Sequence, residues 1–159
     1  MSLVGSETLT QSYSAVPDSV PLARHELVQF ALHAGASEDQ AETVRLSTSE
    51  ALTNVVMHAY GDGQGQIHVR ANLARGELCI LIGDDGDGLR AHNDSPGLGV
   101  GLALITQCSD GLTIVNRAAG GTEVRMRFNL HAGEDGAPQA SPARVSATSP
   151  ASPRFSTTK

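Results

Sequence analysis

The sequence predicts an α/β two-layer sandwich, one mixed sheet with helices packed on a single face. Three observations carry this expectation: two successive helical segments with start and stop signals, a later switch to period-two alternation, and the element order β-α-α-β-β-α-β-β.

A short alternating strand is expected near Leu9 to Val16. Pro17-Asp18-Ser19-Val20-Pro21 then turns into a helix from about Val20 to His33, with Leu22, Leu27, Phe30 and Ala31 as its apolar stripe and Gly35 as its stop. Ser37-Glu38-Asp39-Gln40 fits a capping box, in which the Ser37 hydroxyl and the Gln40 amide satisfy backbone groups at a helix start. The helix it opens runs to about Tyr60 and buries Ala41, Val44, Ala51, Leu52, Val55, Val56 and Ala59. Gly61-Asp62-Gly63 follows, offering a residue able to take positive φ at the helix end.

Beyond Gly65 the apolar residues alternate: Ile67, Val69, Ala71 and Leu73. Ala74-Arg75-Gly76 turns into Leu78-Cys79-Ile80-Leu81-Ile82, apolar on both faces and therefore expected at the sheet centre. A short helix near Val100 to Gln107 and a hairpin pairing Leu112–Arg117 with Glu123–Phe128 complete the set.

Composition narrows the function. The chain has 159 residues, with 11 Lys and Arg against 17 Asp and Glu, a net charge of −6 that argues against a nucleic-acid groove or an anionic membrane as partner. No apolar stretch approaches the ~20 residues of a membrane span and no secretion signal opens the chain, so a soluble, cytoplasmic protein is expected. Cys79 and Cys108 stand far apart in sequence and read as core residues rather than as a zinc site or redox pair. From His131 to Lys159, 20 of 29 residues are Ala, Ser, Pro, Thr or Gly, the composition of a disordered tail, which leaves one domain within residues 1–130.

Three polar interruptions stand out. Glu50, Asn54 and His58 recur every fourth residue beside an apolar helix face, a polar strip that an ordinary solvated face also presents. Asp84-Asp85-Gly86-Asp87-Gly88 follows the most apolar strand directly. Either it is a simple turn, or Asp84 enters a pocket as a hydrogen-bond acceptor for a ligand amino group. Gly97-Leu98-Gly99-Val100-Gly101-Leu102 runs into Ala103-Leu104-Ile105, bringing bare backbone N–H groups to a helix start, as a phosphate cradle does and as a flexible connector also can. No G-K-[ST] follows, so it is not a Walker A loop.

Taken in order, E-x-x-x-N-x-x-x-H, D-x-G-x-G, G-x-G-x-G and the final Gly120-Gly121-Thr122 resemble the ATP-binding motifs of the GHKL superfamily. The segment Glu50 to Tyr60 is similar to the N box of the anti-sigma-factor serine kinases, and the resemblance spans about Ser14 to Phe128. It implies a Bergerat-type ATPase fold, ATP and Mg²⁺ as cofactors, and phosphorylation of an anti-sigma-factor antagonist by a protein that also sequesters a sigma factor and often dimerises. On this resemblance Glu50 is the general base and Asn54 holds Mg²⁺, while His58 matches the N box as a phosphate contact or a support of the helix end. Asp84 binds the adenine amino group, Gly86 and Gly88 shape its pocket, and Thr122 assists Asp84 through a water. Gly97, Gly99 and Gly101 let backbone amides, with Val100 and Leu102 beside them, approach the phosphates.

Only eight residues, Leu89 to Pro96, separate the Asp-rich loop from the glycine cluster, a shorter lid than many relatives carry, with Arg90 and His92 as candidate phosphate contacts or ordinary loop residues. The length leaves no room for a complete sensor histidine kinase or a topoisomerase subunit. Two alternatives to the kinase stay open: a nucleotide-binding partner module with little transfer, and a stand-alone ATPase domain of the histidine-kinase type.

Overall fold

The computed structural model describes residues 7–61, 63–86 and 98–130. Five strands form one sheet: β1 (Thr8–Ser14), β2 (Gln66–Ala74), β3 (Glu77–Asp84), β4 (Gly111–Asn116) and β5 (Thr122–Asn129). They lie in the order β1-β2-β3-β5-β4, so β3 is central as expected. Every neighbouring pair is antiparallel, which corrects the expected mixed sheet. The reason is the closing hairpin: β4 runs the same way as β3 but takes the edge, and β5 folds back between the two.

The β2–β3 turn places Arg75 at φ 53° and Gly76 at φ 75°, the paired positive angles of a two-residue hairpin whose twist matches the strands. Register then sets the faces. Ile67, Val69 and Ala71 of β2, Leu78, Ile80 and Ile82 of β3, and Val124, Met126 and Phe128 of β5 are buried on the helix side. His68, Arg70, Cys79, Arg125 and Arg127 occupy the intervening positions on the open face. Cys79 and Cys108 are free and only partly buried, so neither is the core residue expected; Cys79 falls on the open face because β3 alternates like its neighbours.

Helix α1 (Ser19–His33) buries Ser19, Ala23, Leu27, Val28 and Ala31. This shifts the expected stripe: Leu22 is 61% exposed, because the helix begins at Ser19 and the line through Ala23, Leu27 and Ala31 carries Leu22 off the contact face. Gly35, at φ +104°, ends the helix, with Gly35 N–H on the Leu32 carbonyl and Ala36 N–H on the Ala31 carbonyl, the pair of bonds that closes a Schellman motif.

Helix α2 (Glu38–Asn54) opens on the expected capping box: Gln40 N–H donates to Ser37 Oγ at 3.1 Å and Ser37 N–H to Gln40 Oε1 at 2.9 Å. Its buried face also includes Ser47 and Thr48, whose hydroxyls donate to the Thr43 and Val44 carbonyls, so burial leaves neither unsatisfied. The helix does not continue regularly to Tyr60. At Val55–Ala59 it widens into a π turn, a feature often found at functional sites. Helix α3 (Leu98–Cys108) starts two residues earlier than expected, which puts Gly99 and Gly101 inside its first turn. Among the described residues, no helix is long and apolar enough to cross a membrane. The expected tail, residues 131–159, lies outside the described residues.

Candidate functional site

The site has two groups of residues, one where the end of α2 faces the start of α3, the other where the end of β3, the π turn and the β4–β5 turn meet. Glu50 and Asn54 stand one turn apart at the end of α2 and are half-buried. They face the first turn of α3: a methyl group placed on Gly101 would lie 2.7 Å from Glu50 Oε2 and 3.6 and 3.7 Å from the Asn54 Nδ2 and Oδ1 atoms. Gly101 is buried, so any side chain there would displace the Glu50 carboxylate. The first N–H groups of α3 have no carbonyl within the helix to bond, and they carry the positive end of its dipole. An acid, an amide and an anion-seeking backbone thus share one corner of the protein.

His58 is half-buried in the π turn rather than on a regular continuation of α2. A turn that closes over five residues instead of four swings it off the straight line through Glu50 and Asn54, which corrects the uniform four-residue strip. Of the glycine cluster, Gly99 and Val100 sit in the first turn of α3 and Leu102 packs against the core. Gly88, Gly97, Arg90 and His92 lie outside the described residues.

The second group is centred on Asp84, the last residue of β3, which is only 6% exposed. One carboxylate oxygen, Oδ1, accepts from Gly86 N–H at 2.9 Å and from Thr122 N–H at 3.3 Å. Burial pushes the Asp84 carboxyl above the usual carboxylate range, while the two backbone donors and Arg117 pull the other way. Thr122 reaches Asp84 directly through its own backbone N–H.

Two glycines let this loop pack backbone against backbone. A methyl on Gly86 would lie 1.8 Å from the Ala59 carbonyl oxygen, and one on Gly121, held at φ +93°, would lie 1.9 Å from the Asp84 carbonyl oxygen. The end of the N-box segment, the Asp-Gly loop and the Gly-Thr turn are therefore locked together by missing side chains.

Asp85, the neighbour of Asp84, points to the open face of the sheet. His68 Nε2 meets Asp85 Oδ2 at 2.5 Å, and Arg117 Nη1 donates to Asp85 Oδ1 at 3.0 Å and to the Asp84 carbonyl at 3.3 Å. The bond with His68 holds the Asp85 carboxyl below its ordinary range, helped by the charge of Arg117. This answers the like-charge problem posed by adjacent aspartates: one is satisfied by backbone donors, the other by the His68 ring and the Arg117 guanidinium. Tyr60 completes the frame, donating its hydroxyl hydrogen to the Gln66 carbonyl at 2.5 Å while accepting from Asp85 N–H at 2.9 Å. Sequence reasoning missed His68, Arg117 and Tyr60 as site residues. The strand register, which sets Ile67 opposite Asp84 and Asn116 opposite Thr122, brings His68 and Arg117 to the loop, and Tyr60 reaches it from the end of the π turn.

An antiparallel sheet covered on one face by helices, with polar groups at the end of β3 and between the end of α2 and the glycine-opened start of α3, is the arrangement of a GHKL-type ATPase domain. The chain belongs to the histidine kinase-like ATPase domain family, which matches residues 13–128. It is 37% identical over 86 residues to the serine-protein kinase RsbW of Bacillus licheniformis, covering 54% of each chain. It is 29% identical over 122 residues to the anti-sigma F factor of Clostridium botulinum (strain Eklund 17B / Type B), covering 68% of this chain and 85% of that protein. With the RsbW of Bacillus subtilis (strain 168) the identity is 34% over 74 residues, 46% of each chain. The chain spans about half the length of the serine-protein kinase relatives it matches.

Proposed function

We propose that this protein is an ATP-dependent serine/threonine kinase that phosphorylates an anti-sigma-factor antagonist in the cytoplasm and binds a sigma factor, alone or as a homodimer. The observation that carries the reading is the meeting of Glu50 and Asn54 over the side-chain-free Gly101 at the start of α3, with the buried Asp84 carboxylate at the end of β3. Relatives named for serine-protein kinase and anti-sigma activity support the choice of substrate and partner.

The residues present fit a magnesium nucleotide. Asn54 offers an amide oxygen, the neutral hard donor suited to Mg²⁺, and among the described residues no cluster of three or more His, Cys, Asp or Glu could hold a metal alone. Such a site needs nucleotide oxygens and water to complete it, as expected where metal and nucleotide arrive together. When bound, Mg²⁺ neutralises charge on the phosphates. Asp84 Oδ2, left open by the two donors that occupy Oδ1, accepts from the adenine amino group. Backbone N–H groups in the first turn of α3, from Gly99, Val100 and Gly101, face the phosphates, while Leu102, the fifth residue of the helix, has the Leu98 carbonyl for its own N–H. Glu50 takes the proton of the attacking serine or threonine hydroxyl as its oxygen bonds to the γ-phosphorus and ADP leaves with the bridging electron pair.

The test uses purified protein, Mg-ATP and a candidate antagonist, with phosphoserine read by mass spectrometry. Glu50→Gln should keep ATP affinity and lower transfer by about 10²- to 10⁴-fold, whereas Asn54→Ala should lose the Mg²⁺-dependent part of the affinity. Equal affinity losses in both variants contradict the assigned roles. Tight ATP binding without transfer to any antagonist favours the partner module instead, the reading that the eight-residue spacer Leu89–Pro96 supports.

A further inference from the structure

We propose that Tyr60 is a positioning residue for purine recognition, its hydroxyl setting the course of the Asp84–Gly86 loop. The inference rests on the reading that Asp84 binds adenine. Ile67 and Asp84 form the last pair of the β2–β3 ladder, so the next pair in register is Gln66 with Asp85. There the direct amide-to-carbonyl bond is replaced by the Tyr60 hydroxyl, which donates to the Gln66 carbonyl at 2.5 Å and accepts from Asp85 N–H at 2.9 Å. Two hydrogen bonds in series span more distance than one, so the strands part at this point. The chain leaving Asp84 is then free to turn against the Ala59 carbonyl, where only Gly86 fits. That turn delivers Gly86 N–H to Asp84 Oδ1 and fixes the carboxylate.

The ring has its own seat. A methyl on Gly65 would lie 2.1 Å from the Cε1 and Cζ atoms of Tyr60, so the phenol rests on a residue with no side chain to lift it. Tyr60 O also accepts from Gly63 N–H at 2.8 Å, which pins the residue's backbone as well as its ring. A phenylalanine would keep the ring seat and lose both bridging bonds. The backbone groups of Gln66 and Asp85 would then pair directly or take up water, and either change moves the loop.

Tyr60→Phe is therefore expected to weaken ATP by about 3- to 10-fold, the range of one or two modest hydrogen bonds, while leaving the affinity for magnesium tripolyphosphate unchanged. Affinities are read by competition against a fluorescent ATP analogue. A merely structural role would lower both ligands together. Gly65→Ala, which evicts the ring without removing the hydroxyl, should show the same selective loss, and it provides a second measurement should Tyr60→Phe fold poorly. Tyr13→Phe, whose hydroxyl bonds Glu26 at 2.6 Å, should bind ATP like the parent. Unchanged ATP affinity in Tyr60→Phe, or equal losses for ATP and tripolyphosphate, overturns the proposal. Asp84→Ala separates the two readings. If it loses ATP affinity while Tyr60→Phe does not, only the role of Tyr60 fails; if it binds ATP normally, the adenine reading fails first.

Discussion

Replacing Gly86 by alanine tests the backbone-on-backbone construction of the site. The added methyl would stand 1.8 Å from the Ala59 carbonyl oxygen, whereas real contacts of this kind begin near 3.0 Å, so the loop or the π turn must give way by about 1.2 Å. Ala59 is buried and belongs to the core, which makes the loop the softer partner. The Gly86 N–H bond to Asp84 Oδ1 is 2.9 Å long, and a displacement of that size along it carries the pair beyond hydrogen-bonding range. Asp84 is then left with the longer, 3.3 Å bond from Thr122 N–H. Losing one donor to a buried carboxylate costs about 1.5–3 kcal/mol, or roughly 10- to 150-fold in an equilibrium that depends on the ionised form. Titration calorimetry with a non-hydrolysable ATP analogue should show a loss of that order. Thermal unfolding should show the domain still cooperative, with Tm lowered by several degrees. A Gly86→Ala protein that binds the analogue within twofold of the parent and melts at the same temperature would refute the argument, because it would mean the loop has room that the geometry denies.

Gly101→Ala puts a methyl 2.7 Å from Glu50 Oε2, a flexible group that can retreat, so phosphoryl transfer should fall by about 10- to 100-fold while nucleotide affinity changes little, as separate kinetic and binding measurements would show. Asp84 and Asp85 should give pH effects of opposite sign. Burial raises the Asp84 carboxyl, so its charge costs stability at pH values above its folded value, and Asp84→Asn should raise Tm at pH 7 even as it abolishes adenine binding. The bond from His68 lowers the Asp85 carboxyl, so the stability it contributes is present above the ordinary carboxylate range and is lost as pH falls through it; Asp85→Asn should lower Tm at pH 7 and flatten the acid limb of the melting profile.

The elements were legible where local chemistry decides them. The Ser37–Gln40 capping box, the positive-φ stops at Gly35 and Gly61, and the Arg75-Gly76 turn all follow from residue types at fixed offsets, and each is present. Strand alternation gave the buried face of β2 because register and pleat are coupled. What local pattern does not carry is which strands become neighbours, so the insertion of β5 between β3 and β4 was not foreseen and the sheet was expected to be mixed. The same blindness hid two buried hydroxyls of α2 and two supports of the site. Ser47 and Thr48 look polar in sequence, yet hydroxyls bonded to their own helix carbonyls are buried at no loss. His68 and Arg117 are unremarkable strand and turn residues until register sets them beside Asp85. The π turn, which redirects His58, has no signature in the alternation of apolar and polar residues.

The glycines explain why four weak motifs become a strong set only together. Gly86 is required by the Ala59 carbonyl and Gly121 by the Asp84 carbonyl, while Gly101 leaves room for the Glu50 carboxylate. Each missing side chain makes room for a motif other than its own: the Asp-Gly loop for the N-box segment, the Gly-Thr turn for the Asp-Gly loop, and the glycine cluster for the N-box acid. A glycine pair in isolation states only that the chain can turn, and chance or a flexible connector accounts for it. When the partner that needs the gap is also present, the glycine becomes a steric statement about a second segment distant in sequence. The motifs therefore report tertiary contacts, and their order along the chain is evidence of how the pieces fit rather than of any one piece. It follows that a substitution filling one gap acts on two motifs at once, so Gly86→Ala and Gly121→Ala, which both press on the Asp84 loop, should combine less than additively in their effect on nucleotide affinity.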